Sequence, residues 1–194
     1  MMKPTTLDLL CNPYKGEPFQ LDGDALVGTA SGQRFPIRRG IPQILDVRKL
    51  SFKARWMRQF YDVAASLYDP VMDWGSRLGV GSETHIRETV IAAIELPGGA
   101  RLLETAMGTG LNRPFLPADI AYFGQDLSWG MLREAQRRFN RLGLSGELFQ
   151  SDGAWLPFRD ATFDFVLHMG GLQFYGDVFR GVAEMGRVLK PGGQ

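Results

Sequence analysis

The sequence is poor in the features that would staple it or send it to a special compartment. Among 194 residues there is one cysteine, Cys11. An intramolecular disulfide is therefore excluded, and one thiol cannot by itself build a structural zinc site. Neither sign of charge is in excess. The formal net charge is +1, so a nucleic-acid or membrane partner would have to rest on a local patch. No apolar run approaches the length of a transmembrane helix. The opening residues are interrupted by Pro4, Asp8 and Pro13 and lack the apolar centre of a signal peptide. These absences predict a soluble, cytoplasmic protein without a membrane span. The 44% hydrophobic content suffices for a real core.

What is present falls into three stretches: 1–46, 47–82 and 83–194. The first consists of short apolar pieces separated by turn residues. Asp22-Gly23 and Ser31-Gly32 are turn pairs, with strands expected at Ala25–Val27 and Phe35–Ile37, which predicts a small β module. The second reads as a helical linker or lid rich in aromatics, "RKLSFKARWMRQFYDVAASLYDPVMDW". In the third, a helix is expected from Glu83 to Leu96, with Ile86, Val90, Ile91 and Ile94 on one face. Strands are expected at Arg101–Thr105, Ile120–Gln125, Glu147–Ser151 and Phe163–Met169. Between the second and third of these lies a helix capped by Ser128 and stopped by Gly143, with Met131, Leu132, Ala135, Phe139 and Leu142 as its apolar stripe. A last helix starts near Asp177 and turns Val178, Val182, Met185 and Leu189 inward. Strand–helix alternation predicts an α/β fold: a Rossmann-like parallel sheet with helices on both faces and a ligand at the carboxyl ends of the strands. Gln194 follows directly on the helix terminator "KPGG", so the sheet is expected to be C-terminally incomplete. The edge of Phe163–Met169 would then need cover from a partner or a second copy.

The chemistry begins in "RLLETAMGTGLN". Glycines after a first strand let a ligand approach the backbone. A dinucleotide fingerprint needs a third glycine, and after Gly108 and Gly110 it is missing; a phosphate-clamping loop needs a Gly-Lys-Ser/Thr, also missing. Glu104, four residues before Gly108, would oppose a pyrophosphate but suits an ammonium group. The loop therefore fits a nucleoside that carries an amino acid. Asp126 ends the next strand, where an acid can accept both ribose hydroxyls. Asp152 ends the strand after that and can receive an exocyclic amino group. Three acids at three successive strand ends make a specific constellation.

The pieces "LLETAMGTG", "YFGQDLSWGMLREAQRR", "SDGAWLPFRDATFDFVLHMGGLQF" and "EMGRVLKPGG" resemble the class I S-adenosylmethionine-dependent methyltransferases of the small-molecule type, with a lean towards quinone-biosynthesis enzymes. The resemblance implies S-adenosylmethionine as cofactor. The methionine part would lie on Glu104 and the backbone of Ala106, Met107, Gly108 and Gly110, and the ribose on Asp126. Leu127 and Met131 would flank the adenine, with Asp152 and Gly153 at its edge. His168 and Met169 would face the sulfonium and a small-molecule acceptor, His168 as the candidate catalytic base. Ala106 stands where the family has glycine. Residues 7–45 are similar to a zinc-ribbon-like module that precedes some such enzymes. Of its four metal positions, Cys11, Tyr14, Gly28 and Ser31, only one keeps a ligand, so no metal is expected.

Plainer readings stand beside these. His168 alone could be a satisfied structural group. "RKLSFKARWMR" could hold RNA or a lipid headgroup, or be an amphipathic linker with a solvated basic face. Arg133, Arg137, Arg138 and Arg141 are expected at the surface. An RNA methyltransferase and a catalytically impaired cofactor-binding scaffold are the rival functions.

Overall fold

The structure is a computed structural model that describes residues 3–77 and 83–194, with the side chains of 66–84 and of residue 86 left aside. The expectation for Ile86, and the linker boundary at 82, lie outside the described residues. An antiparallel sheet comes first: β1 (Phe19–Asp22), β2 (Ala25–Gly28), β3 (Arg34–Arg38) and β4 (Ile41–Pro42), in that order across the sheet. Gly23, at φ +60° between β1 and β2, supplies the left-handed residue that so short a connection needs. Two helices follow, α1 (Phe52–Arg77) and α2 (Glu83–Ala92). The second is shorter than its apolar pattern suggested; Ile91 is buried while Val90 is exposed.

The remainder alternates as expected: β5 (Arg101–Thr105), β6 (Ala121–Asp126), α3 (Trp129–Leu142), β7 (Glu147–Gln150), β8 (Phe165–His168) and α4 (Val178–Val188). The strands are parallel in the order β7-β6-β5-β8. Helix α3 begins and ends for the reasons its sequence announces. The Ser128 hydroxyl accepts from the Met131 N–H at 3.2 Å, and Gly143 closes the helix in the left-handed conformation.

The two sheets share one core. Leu10, Phe19, Leu26, Phe35 and Ile44 from the N-terminal stretch pack with Leu103, Phe123 and Phe149 of the parallel sheet and with Phe158 and Phe163 of the connection between β7 and β8. The join is also a backbone one, since Gln43 bridges Gln150 in parallel and the Ile44 N–H donates to the Gln150 carbonyl. This covers the outer edge of β7. On the other side the segment 188–194 runs along the approach to β8: Phe163 bridges Leu189 in parallel, the Gln194 N–H donates to the Asp164 carbonyl, and the Val166 N–H donates to the Gln194 carbonyl.

Three side-chain expectations are corrected. Val178 and Val182 of α4 face outward, and Gly181 and Val188 are the buried positions. Among the described residues no strand lies beyond β8, so the outer half of α4 has no sheet beneath it. Leu142, at the last turn of α3, is exposed. Arg138 is buried with its guanidinium 3.5 Å from the Thr109 hydroxyl, not solvated.

In the N-terminal sheet one carboxylate joins two turns. Glu17 accepts from the Ala30 and Ser31 N–H groups at 2.7 Å each, from the Ser31 hydroxyl, and from the Asn12 carboxamide at 2.9 Å. The segments Cys11–Tyr14 and Gly28–Ser31 are thus held together by hydrogen bonds to one anion. These donors, led by the Ser31 hydroxyl, hold the Glu17 carboxyl down at about 2. A depressed carboxyl stabilises the fold above its unfolded value of about 4.3 and loses that contribution as the pH falls through the folded value. In thermal melts, wild type should exceed Glu17→Gln in Tm at pH 5–7, and the difference should close by about pH 2.

Candidate functional site

The site lies where the Rossmann-like topology puts it, at the carboxyl ends of β5, β6 and β7, under α1. Strand β6 delivers Asp126 to this rim. Its carboxylate accepts from the Gly108 N–H and from the Ser128 N–H, each at 2.8 Å. Asp126 therefore fastens the glycine loop after β5 to the start of α3. Burial raises its carboxyl to about 6 against the pull of those N–H donors, and the nearby charge of Asp62 adds to the rise.

The glycine loop has its own scaffold. The Met107 N–H donates to the Gln125 carbonyl at 3.0 Å, and the Ala106 N–H meets the Gln125 side-chain oxygen at 3.3 Å. The same carboxamide donates onward to the Ser151 carbonyl, just before Asp152. Gln125 thus ties the loops after β5 and β7 through the end of β6. Nothing in its residue type alone announced that role.

Helix α1 closes the rim from above. Asp62 accepts from the Ser128 hydroxyl at 2.7 Å and from the Gly130 N–H at 3.0 Å. It satisfies a free N–H at the first turn of α3. A Cβ on Gly130 would sit 2.7 Å from the Asp62 carbonyl oxygen, so glycine is what lets the two helices approach here.

Between these elements is a cavity of about 360 Å³, within the range of small-molecule sites. Of the residues singled out in the sequence, Ala106, Gly108, Asp126, Leu127, Met131, Asp152, Gly153 and Met169 line it. Four others stand behind the wall, each with a packing reason. Glu104 is buried with one carboxylate oxygen on the Asn112 carboxamide (2.7 Å) and the other on the Tyr122 hydroxyl (2.8 Å). Burial lifts its carboxyl to about 7. Met107 turns its sulfur towards Gly124 and the Tyr122 hydroxyl. Gly110, at φ +73°, makes room for Phe139, which a Cβ would approach to 2.7 Å. His168 pairs its Nδ1 with the Thr105 hydroxyl at 2.8 Å, and its Nε2 is buried without a partner. Burial lowers its basicity.

Residues that the motif did not flag complete the cavity. Ala54, Met57, Arg58 and Tyr61 come from α1, and Arg87 from α2; Phe174 and Tyr175 come from the loop before α4. Burial raises the Tyr175 hydroxyl far above its ordinary value, so it stays protonated. The aromatic run of the expected helical linker or lid was the one visible sign of this wall.

Residues 102–193 match a methyltransferase-domain family. The demethylmenaquinone methyltransferase of Thermobifida fusca is 35% identical over 139 residues, covering 69% of this chain and 58% of that protein. A phosphatidylethanolamine N-methyltransferase of Cereibacter sphaeroides is 38% identical over 118 residues, covering 60% of this chain and 57% of that protein. The chain thus spans less than two thirds of the length of these curated relatives. Among solved structures, the [4+2]-cyclase SpnF aligns with a TM-score of 0.63 at 24% identity, over 74% of this chain and 58% of its own. A SAM-dependent methyltransferase from Aquifex aeolicus aligns with a TM-score of 0.50 at 24% identity, over 54% of this chain and 58% of its own. The likeness to these structures is one of fold: a Rossmann-like parallel sheet with its helices.

Ala106 is the strained point of the loop. Its φ is +50°, where an L-residue with a Cβ costs about 1–2 kcal/mol and glycine sits freely. Glycine gives back about 0.5–1 kcal/mol of this in unfolded-chain entropy. Ala106→Gly should therefore stabilise the fold by about 0.5–1 kcal/mol, seen in urea unfolding as a higher midpoint with an unchanged slope.

Proposed function

We propose that this chain is the cofactor-binding part of an S-adenosylmethionine-dependent methyltransferase that acts on a small, largely apolar acceptor. The observation that carries this reading is the lining of one cavity by Asp126, by Asp152, and by the Ala106–Gly108 loop. A ribose diol donates to a carboxylate, an adenine amino group donates to another, and a backbone loop without a phosphate clamp accommodates an amino-acid tail. The donor set of the cavity fits this ligand. Among its polar groups the Arg58 Nε and the Tyr175 hydroxyl are buried without a hydrogen-bond partner.

When bound, the cofactor supplies a methyl group on a charged leaving group, so the chain's work is orientation and exclusion of water. Asp126 holds the ribose and, through Gly108 and Ser128, keeps loop and helix in register. Leu127 and Met131 form the apolar seat of the base, with Asp152 and Gly153 at its edge. Glu104 acts from behind the loop: an ammonium group on the cavity side favours its ionised form against the burial that lifts it to about 7. Met169, Tyr61 and Phe174 offer apolar walls to the acceptor. His168, held behind the wall by the Thr105 hydroxyl, supports the loop after β5 and takes no proton from an acceptor in the cavity.

The relatives' names support the acceptor class, since demethylmenaquinone and phosphatidylethanolamine are both apolar-tailed small molecules. The N-terminal sheet is read as a metal-free counterpart of a zinc ribbon. The Glu17 cluster links the two turns that carry the metal positions there.

The test is isothermal calorimetry with S-adenosylmethionine and S-adenosylhomocysteine. Wild type should bind both, and Asp126→Ala should weaken binding at least tenfold. Because burial raises Asp126 to about 6, and only the ionised form accepts two hydroxyls, affinity should fall as the pH drops from 8 to 5. Absence of binding by the wild type, or undiminished binding by Asp126→Ala, overturns the reading. Binding without turnover on any quinone or lipid-amine acceptor would assign the chain to the non-enzymatic reading.

A further inference from the structure

Over residues 52–65 helix α1 is apolar on two opposite sides. Its inner side is Ala54, Met57, Tyr61 and Ala65, spaced three, four and four residues apart, with Ala54, Met57 and Ala65 buried. Its outer side is Phe52, Trp56, Phe60 and Val63, spaced four, four and three apart, which at 100° per residue makes one continuous stripe. Phe52 is 86% exposed, Val63 81%, Trp56 54% and Phe60 50%. Large apolar side chains so arranged on a water-facing stripe mark an interaction surface.

The charges around the stripe say what the surface is for. From Val47 to Tyr61 there are five basic residues and no acid. Arg48 is paired with Asp46, and Lys49 sits over the rings of Tyr14 and Trp155. Lys53 borders the stripe on one flank and Gln59 on the other. A helix with aromatic and aliphatic residues on one line and cations beside it lies in the headgroup plane of an anionic bilayer. Single-stranded nucleic acid fits the stripe less well. The rings of Trp56 and Phe60 are stacked on one another at 5.6 Å and 11°, and Val63 has no ring to offer a base.

We propose that the outer stripe of α1 docks the protein on an anionic lipid surface. The inner side of the same helix lines the cavity through Ala54, Met57, Arg58 and Tyr61. Docking therefore sets the cavity beside the bilayer, where an apolar acceptor dissolves. That last consequence rests on the methyl-transfer reading; the docking itself does not.

The test is co-sedimentation of the full chain with vesicles of phosphatidylglycerol and, separately, of phosphatidylcholine. Wild type should partition at least tenfold more strongly onto phosphatidylglycerol, with the preference lost at high salt. Trp56→Ser/Phe60→Ser should lower partitioning at least tenfold on both vesicle types. Lys53→Glu/Gln59→Glu should remove the preference for the anionic vesicle. Calorimetry with S-adenosylhomocysteine serves as the folding control and should be unchanged in both variants, so failure of docking and failure of the cofactor reading give different results. No binding to phosphatidylglycerol at low salt overturns the proposal. So does binding to a single-stranded RNA in place of vesicles, and so does an aromatic-dependent dimer, seen by gel filtration, that ignores vesicles.

Discussion

The carboxylate of Asp126 is the point from which the rest of the site hangs. It sits at the end of β6 and receives one N–H from the glycine loop after β5 and one from the first residue capping α3. Ser128, whose backbone Asp126 fixes, turns its hydroxyl towards Asp62, so the chain of hydrogen bonds runs on into α1. A strand end, the glycine loop, a helix start and the overlying helix are thereby coupled through two acids. Burial makes the arrangement demanding. A desolvated carboxylate is stable only while its donors stay in place, so a shift in any of the four elements is felt at the others.

The same logic recurs at smaller scale in the N-terminal sheet, where Glu17 gathers donors from two turns. In each case an anion collects the N–H groups that irregular backbone leaves unpaired. Hydrogen bonds therefore fix the turns, while the shared aromatic core from Phe19 and Phe35 to Phe123, Phe149, Phe158 and Phe163 fixes how the two sheets sit together. Helix α1 completes the plan from the other direction. It is anchored by Asp62, walls the cavity with one side, and keeps a second apolar side in water.

Much of this was legible in the residues. Apolar runs and period-three-to-four patterns placed the six strands and helices of the parallel half, because local patterning and capping are short-range properties. Ser128 and Gly143 marked α3 to the residue. The acids at strand ends were visible too, since strand ends and acids are both local facts. Less visible was which acid faces the cavity. Glu104 pairs in register with Gly124, two residues short of Asp126, and Asn112 and Tyr122 draw it behind the wall while Gly108 and Ser128 hold Asp126 in it. Those partners are distant in sequence, and their meeting is set by packing.

The sequence by itself determined the parallel α/β class, the glycine loop and the three acids, because each is encoded within a few neighbouring residues. Only the tertiary structure decided that Glu104, Met107, Gly110 and His168 support the cavity from outside. It alone showed that Gln125 ties two loops, that the N-terminal strands cover the edge of β7, and that Val178 and Val182 face water. These depend on what lies across a sheet or helix from a side chain. That is a property of long-range packing, and no window along the chain contains it.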